Sequence, residues 1–345
     1  MSMKQREEQA LLQTIDLLSE GELPGKFTGA ELYGAPEETD EAGDGVCRVY
    51  QLSNETGTGK VTVYPVFSGI ELYYNDMHMA YCNKEQKTAP NQIEINHCRT
   101  GRYECSFGEN SCCYMAAGDL SIGSLTRKKS SSCFPLEHYH GITVLIDLDG
   151  LLPQVREIME LLGIDLTHIR QYICEENRCL IMRANPSIEH IFSELYHVRE
   201  QRKSGYRKVK ILELLLFMSD LDTQEAILQT EYFNQNQVRR VKAVASYITE
   251  DITRHETIEE LSERFGFSPT ALKKGFHGVY GTSVYAYLRQ YRIQTAQKLL
   301  LETDLSVAAV AHRVGYENPN KFASAFREIC GSTPTEYRKS VRLDR

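Results

Sequence analysis

From residue 46 to residue 148, apolar and polar positions alternate with a period of two, in short runs rich in β-branched and aromatic residues. Val61-Thr62-Val63-Tyr64-Pro65-Val66, Gln92-Ile93-Glu94-Ile95-Asn96 and Ile142-Thr143-Val144-Leu145-Ile146 are examples. Successive side chains of a strand point to opposite faces, so this period buries one face. Breaks such as Gly108-Glu109-Asn110 and Gly118-Asp119 separate the runs. Many short strands between turn residues predict a closed or sandwiched β structure, drawn here as a small cupin-like β barrel. Ahead of it, residues 4–20 carry Leu11, Leu12, Ile15 and Leu18 at helical spacing, and residues 21–45 form a loop rich in Gly, Pro and acidic residues.

After residue 147 the period changes to that of a helix. The pattern predicts helices over 152–162, with Pro153 in the first turn, over 187–202, with Ile188, Ile191, Leu195 and Val198 on one face, and over 208–221. The last has Glu213 as its only polar residue between Ile211 and Met218, so another element or a second copy must cover part of it. Residues 222–237 are polar and read as a linker.

The remainder, 238–345, reads as all helix and contains one arrangement twice. Thr257 and Glu260 form a capping box before a helix with Leu261 and Phe265 inward. Gly266 supplies a tight turn. Ser268 caps the next helix, and Pro269 fills its first position, where no amide hydrogen is needed. Leu272 and Phe276 then face inward, leaving Thr270, Lys273 and Lys274 outward. A long helix over 283–302 follows, and the pattern recurs. Gly315 takes the place of Gly266, Pro319 that of Pro269, and Phe322 with Phe326 that of Leu272 with Phe276. Asn320, Lys321 and Ser324 fall on the second outward face. Helix, short glycine turn and helix make a helix-turn-helix, and the outward residues of each second helix are the ones that reach base edges. Two such units on a stiff helix suit successive major grooves, about 34 Å apart. Arg289 is available for phosphate. Arg292 either reaches phosphate, the reading preferred here, or pairs within the domain.

Charge refines this division. The 345 residues carry 39 Lys and Arg against 47 Asp and Glu, a net of −8. Residues 238–345 hold 17 of the basic and 12 of the acidic residues, a net of +5, which leaves −13 on the rest. A basic segment on an acidic body suits a DNA reader joined to a unit with another task. No apolar run approaches the roughly 18 residues of a membrane span, and the first residues lack a signal-peptide core, so a cytoplasmic protein without membrane contact is expected. Ten cysteines in that compartment should be reduced thiols, and no two show Cys-x-x-Cys spacing.

The run 261–338 resembles the DNA-binding domain of the AraC/XylS family of bacterial regulators. The resemblance rests on Phe267-Ser268-Pro269, on Leu288 with Arg292 and Ala296, on Val314-Gly315-Tyr316, on Phe322 with Phe326, and on Gly331-Ser332-Thr333-Pro334-Thr335-Glu336-Tyr337-Arg338. It implies base contacts by Thr270, Lys273 and Lys274 and by Asn320, Lys321 and Ser324. Phosphate contacts are assigned to Ser268, Arg289, Arg292 and Arg338. The partners it implies are double-stranded promoter DNA, RNA polymerase and a second copy of the chain. Gly275 departs from a good helix former inside the first recognition helix, which costs about 1 kcal/mol relative to Ala and implies close packing or close approach of DNA.

In that family the N-terminal domain senses a small molecule. The stretch 93–104, Gly141-Ile142-Thr143 and the helix from Lys208 are similar to the subgroup that includes siderophore regulators. His97, Arg102, His138 and His140 are the effector-contact candidates, with Arg102 facing either an anionic ligand or Glu104. His138-x-His140 puts two imidazoles on one strand face, but no Glu and third His follow at metal-site spacing, so neither a metal nor a cofactor is expected. The expected fold is thus α+β: residues 1–150 a sensing barrel, 151–237 a helical dimerisation and linker segment, 238–345 the double helix-turn-helix. The function expected is that of a ligand-responsive transcription regulator and not of an enzyme. Two alternatives stand beside it. One is a redox or metal sensor using His97, Cys98, Cys105 or the adjacent Cys112 and Cys113, cysteines whose plainer role is packing. The other is a regulator whose N-terminal domain only dimerises.

Overall fold

The computed structural model describes residues 33, 38–40, 47–83, 91–107, 111–124, 131–173, 179–197, 203–220 and 230–343. The expected helix over 4–20 and most of the expected loop over 21–45 lie outside the described residues, as does the first half of the expected linker. The chain divides into two compact units, Met1–Tyr232 and Phe233–Arg345.

In the first unit the strands are β1 Glu38–Asp40, β2 Cys47–Asn54, β3 Gly57–Phe67, β4 Ile70–His78, β5 Tyr81–Asn83, β6 Gln92–Gly101, β7 Tyr103–Phe107, β8 Ser111–Met115, β9 Leu120–Ser124, β10 Ser131–Cys133, β11 Tyr139–Asp147 and β12 Cys179–Met182. Eight of them form an antiparallel sheet in the order β1-β2-β3-β4-β11-β6-β9-β12. Strands β8, β7, β10 and β5 lie side by side in a second sheet. The described strands therefore form two open sheets, not the closed cupin-like barrel expected. Alternation fills the space between them. On β6, Ile93 and Ile95 join one core while Cys98 joins the other. On β11, Ile142, Val144 and Ile146 face the first core, and Tyr139 and Leu145 the second.

The first core is closed by helices α1 Pro153–Leu161, α2 Leu166–Ile173, α3 Pro186–Tyr196 and α4 Lys203–Ser219. Of the segment expected as a helical dimerisation and linker part, 151–237, Val155, Met159, Ile188, Phe192, Leu195, Leu214 and Leu215 share one core with the sheet, while residues from 233 on belong to the second unit. Each such fully buried side chain contributes about 1.5–3 kcal/mol by leaving water. Asn185 caps α3, its side chain accepting from the amides of Ser187 and Ile188, and Pro186 sits where no amide hydrogen is needed. The opposite face of α4 leaves Val209 60% and Leu216 42% exposed, seven residues apart on one stripe.

The second unit is helical: α5 Gln235–Glu250, α6 Ile258–Phe265, α7 Pro269–Tyr280, α8 Val284–Glu302, α9 Val307–Arg313, α10 Pro319–Cys330 and α11 Pro334–Leu343. Leu272, Phe276, Ile293, Leu300, Phe322 and Phe326 are all fully buried.

Candidate nucleic-acid interface

Both expected helix-turn-helix units are present, and their ends are fixed by short-range chemistry. At the start of α6 the Thr257 hydroxyl accepts from the Glu260 amide (3.2 Å), and the Glu260 carboxylate accepts from the Thr257 amide (2.7 Å). Gly266 ends the helix in the left-handed region, at φ 66°. Ser268 Oγ accepts from the Ala271 amide to open α7. In the second unit Ser306 caps α9, and Asn318 caps α10 by accepting from the amides of Asn320 and Lys321. The first four amides of each helix have no partner within it, and each cap satisfies one or two of them.

The caps aim each recognition helix so that its apolar pair turns inward and its polar triad outward. Leu272 and Phe276 are fully buried, and Thr270, Lys273 and Lys274 are exposed. Phe322 and Phe326 are fully buried, and Asn320, Lys321 and Ser324 are exposed. Gly275 is explained by packing: a β-carbon there would lie 3.1 Å from Cγ2 of Val241 on α5. Gly315, at φ 80°, sits even closer to its neighbours, with Ile252 O only 2.6 Å from where a β-carbon would be. Between the two helix-turn-helix motifs, within the helical unit, opens a cleft of about 570 Å³, whose walls include Tyr285 and Arg289 of α8, Arg254 and His255 of the loop before α6, and Asn320 and Lys321 of α10.

The four expected phosphate contacts divide. Ser268 is exposed at the start of α7. Arg289 makes a two-pronged ion pair with Glu328 (3.0 and 2.5 Å), which raises its pKa further. Arg292 and Arg338 are internal braces instead. Arg292 Nε donates to Ile252 O (2.7 Å) and Nη2 to Arg254 O (3.0 Å), while burial lowers its pKa. Arg338 donates to the carbonyls of Leu300 and Leu305. Both guanidiniums are aimed at carbonyls at or just beyond helix ends, acceptors that spacing along the chain does not reveal. A third brace was missed outright. Arg240 on α5 donates to the Phe265 and Gly266 carbonyls of the first turn and lies 4.1 Å over the Phe267 ring.

The four effector candidates do not gather around one cavity. His97 is buried between sheet and helix, stacked on Phe192 (centroids 4.2 Å, 6°), with Nδ1 3.2 Å from the Tyr196 hydroxyl. Burial pushes its pKa down to about 4, so it is a neutral core side chain and not a pocket wall. His140 meets the same Tyr196, while His138 stands beside His78 and bonds Thr100 Oγ1 at 2.9 Å. Arg102 lies over the Tyr114 ring, and Tyr114 donates to Glu104 at 2.9 Å. Sequence reasoning missed the polar residues between the sheets. Asn75 donates to Thr143 Oγ1 (3.0 Å), which donates to Asn96 Oδ1 (2.7 Å), beside an aromatic wall of Tyr103, Phe134 and Tyr139. The pocket they line measures about 10 Å³, room for one water.

Among the described residues no helix is long and apolar enough to cross a membrane. Residues 261–340 match the family of helix-turn-helix domains. The xylose operon regulatory protein of Escherichia coli K12 is 25% identical over 223 residues, covering 59% of this chain and 56% of that protein. The transcriptional activator RhaR of Enterobacter sp. 638 is 38% identical over 91 residues, 26% of this chain and 32% of its own. The solved structure of a probable AraC family transcriptional regulator from Rhodopseudomonas palustris is 33% identical, covers 30% of this chain and 96% of that one, and has a TM-score of 0.27. The chain thus spans little more than half the length of the first of these relatives and about a third of the second. Residues 261–340 thus form a helix-turn-helix domain similar to those of AraC/XylS-type transcription regulators.

Proposed function

We propose that this chain is a sequence-specific transcription regulator that reads two successive major grooves. The observation that carries this reading is the pair of recognition helices, each with its apolar pair buried and its polar triad exposed, joined by one continuous helix. Thr270, Lys273 and Lys274 contact bases in one groove, and Asn320, Lys321 and Ser324 in the next. The DNA backbone between the grooves crosses the cleft, where Arg254, His255 and Arg289 meet phosphate, and Ser268 meets it at the start of α7. Arg289 is held by an exposed, solvent-screened ion pair, which a phosphate replaces easily. Bound at a promoter, the protein acts on RNA polymerase.

The first unit is the sensing and pairing part in this proposal. Val209 and Leu216 make the apolar stripe through which α4 meets a second copy. A small polar molecule enters between the sheets at Asn75, Asn96 and Thr143 only when the aromatic walls part, since the closed pocket has room for one water. It shifts the population between two arrangements by its preference for one.

Selection from a random duplex pool with the full chain tests the reading. The expected product is a site with two half-sites about one helical turn apart. Failure to enrich any sequence over the starting pool would overturn the proposal. Retention of a single short half-site would overturn the two-groove geometry alone.

A further inference from the structure

Cysteines scattered along the sequence meet between the sheets. Cys105 on β7 and Cys113 on β8 are directly opposite in the strand register, and Cys179 opens β12 of the larger sheet. Their three Sγ atoms all lie within 4.8 Å of one another. They are 1%, 0% and 1% exposed. Alternation, not adjacency, selects them: Cys112 points to the other face, where its sulfur contacts the Tyr114 hydroxyl at 3.9 Å. Met77, Met79, Cys82, Cys98 and Met115 belong to the same core, so half of its buried residues carry sulfur.

A lone buried cysteine is ordinarily packing. Three thiols brought together from three strands, at ligand distance and in a sulfur-rich interior, make a donor set. Among the described residues no His, Asp or Glu joins them within that distance. Tetrahedral zinc would therefore lack its fourth protein ligand. Charge narrows the choice further. Three thiolates around a divalent ion leave one negative charge, and around a monovalent ion two, in an interior where an unpaired charge is expensive. Around a trivalent centre they leave none.

We propose that Cys105, Cys113 and Cys179 form a binding site for a trivalent thiophilic centre, with arsenous acid as its small-molecule source. The step balances without oxidant or reductant. Three As–O bonds and three S–H bonds break, three As–S bonds form, and each thiol proton leaves with a hydroxide as water. Neutral acid and neutral thiols give a neutral tris-thiolate. The site is separate from the polar pocket at Asn75 and Thr143, and it stands whether or not that pocket takes a ligand.

The test equilibrates the full, reduced chain with sodium arsenite in the presence of a chelator. Native mass spectrometry is expected to show one arsenic per chain, and arsenic X-ray absorption three sulfur neighbours. The melting temperature is expected to rise, since a ligand that prefers the native state stabilises it. Cys113→Ser and Cys179→Ser each lose the bound arsenic, while Cys47→Ser and Cys330→Ser retain it; melting without arsenite establishes that each variant folds. Should Cys113→Ser misfold, Cys105→Ala is read in its place. Arsenic kept by the folded triad variants, two sulfur neighbours instead of three, or a fall in melting temperature from ligation of the unfolded chain would each overturn the proposal. So would displacement of arsenic by an equivalent of zinc or copper(I).

Discussion

Arg292 of α8 packs against the turn glycine Gly315, and a β-carbon on that glycine would lie 3.0 Å from its Nη2. The same guanidinium holds the carbonyls of Ile252 and Arg254. One side chain on the connecting helix therefore ties the loop that leads into the first helix-turn-helix to the turn of the second. That contact fixes how the two recognition helices stand to each other.

Gly315→Ala is expected to destabilise the second unit more than Gly266→Ala. Both glycines are left-handed, which costs a side-chain-bearing residue about 1–2 kcal/mol. At Gly266 the added carbon meets only the far end of Arg240, at 3.1 Å, whereas at Gly315 it meets the main-chain oxygen of Ile252 at 2.6 Å. Urea unfolding of the full-chain variants checks the order, and equal losses would remove the argument.

Arg292→Ala should lower stability by about 1–3 kcal/mol, since two carbonyls lose their donor. It should leave the salt dependence of DNA binding by the folded protein unchanged. Arg289→Ala should do the reverse, with little loss of stability and a salt slope smaller by about one. Binding titrations at several salt concentrations, beside urea unfolding, separate the two arginines.

Lys273→Ala and Asn320→Ala should each weaken binding to the selected site by about 1–3 kcal/mol and relax the base preference in one half-site. Repeating the duplex selection with each variant shows which half-site changes. If both variants blur the same half-site, the assignment of one groove to each helix fails.

His97 makes stability depend on pH. Folded, burial holds its pKa at about 4, against 6.5 unfolded. Below 6.5 the unfolded chain takes up a proton that the native chain refuses. Stability is therefore complete above 6.5 and falls as pH drops toward 4, by about 1.4 kcal/mol per pH unit. His97→Phe, which keeps a ring against Phe192, should flatten that slope. Urea unfolding at about pH 7.5 and about pH 5 reads it, and an unchanged slope in the variant would assign the effect to other groups.

Val209→Glu with Leu216→Glu should shift the chain to a monomer while leaving its fold intact, because both side chains are exposed on α4. Sedimentation at fixed concentration gives the mass, and circular dichroism the fold. A dimer that persists in the double variant would place the pairing surface elsewhere.

The paired helix-turn-helix was legible because its determinants are local. A capping box spans four residues, a turn glycine follows its helix directly, and the inward pairs 272/276 and 322/326 recur at one helical turn. The strands between 46 and 148 were legible for the same reason, since alternation is a two-residue signal. Helix α2 and strand β12 were not, being a short helix and a four-residue strand whose place is set by the core they close.

What the sequence determined by itself was most of the longer elements, the caps of the helix-turn-helix units and the outward triads of the recognition helices, because propensity, capping and period act within a few residues. Only the tertiary structure decided how distant positions meet. It opened the expected barrel into two sheets, buried His97 between Phe192 and Tyr196, and turned Arg292 and Arg338 onto carbonyls nearly 40 residues away in sequence. It also separated neighbours Cys112 and Cys113 and gathered Cys105, Cys113 and Cys179. The reason is physical: a side chain's partner is fixed by which faces the packed core brings together, and no local period carries that information.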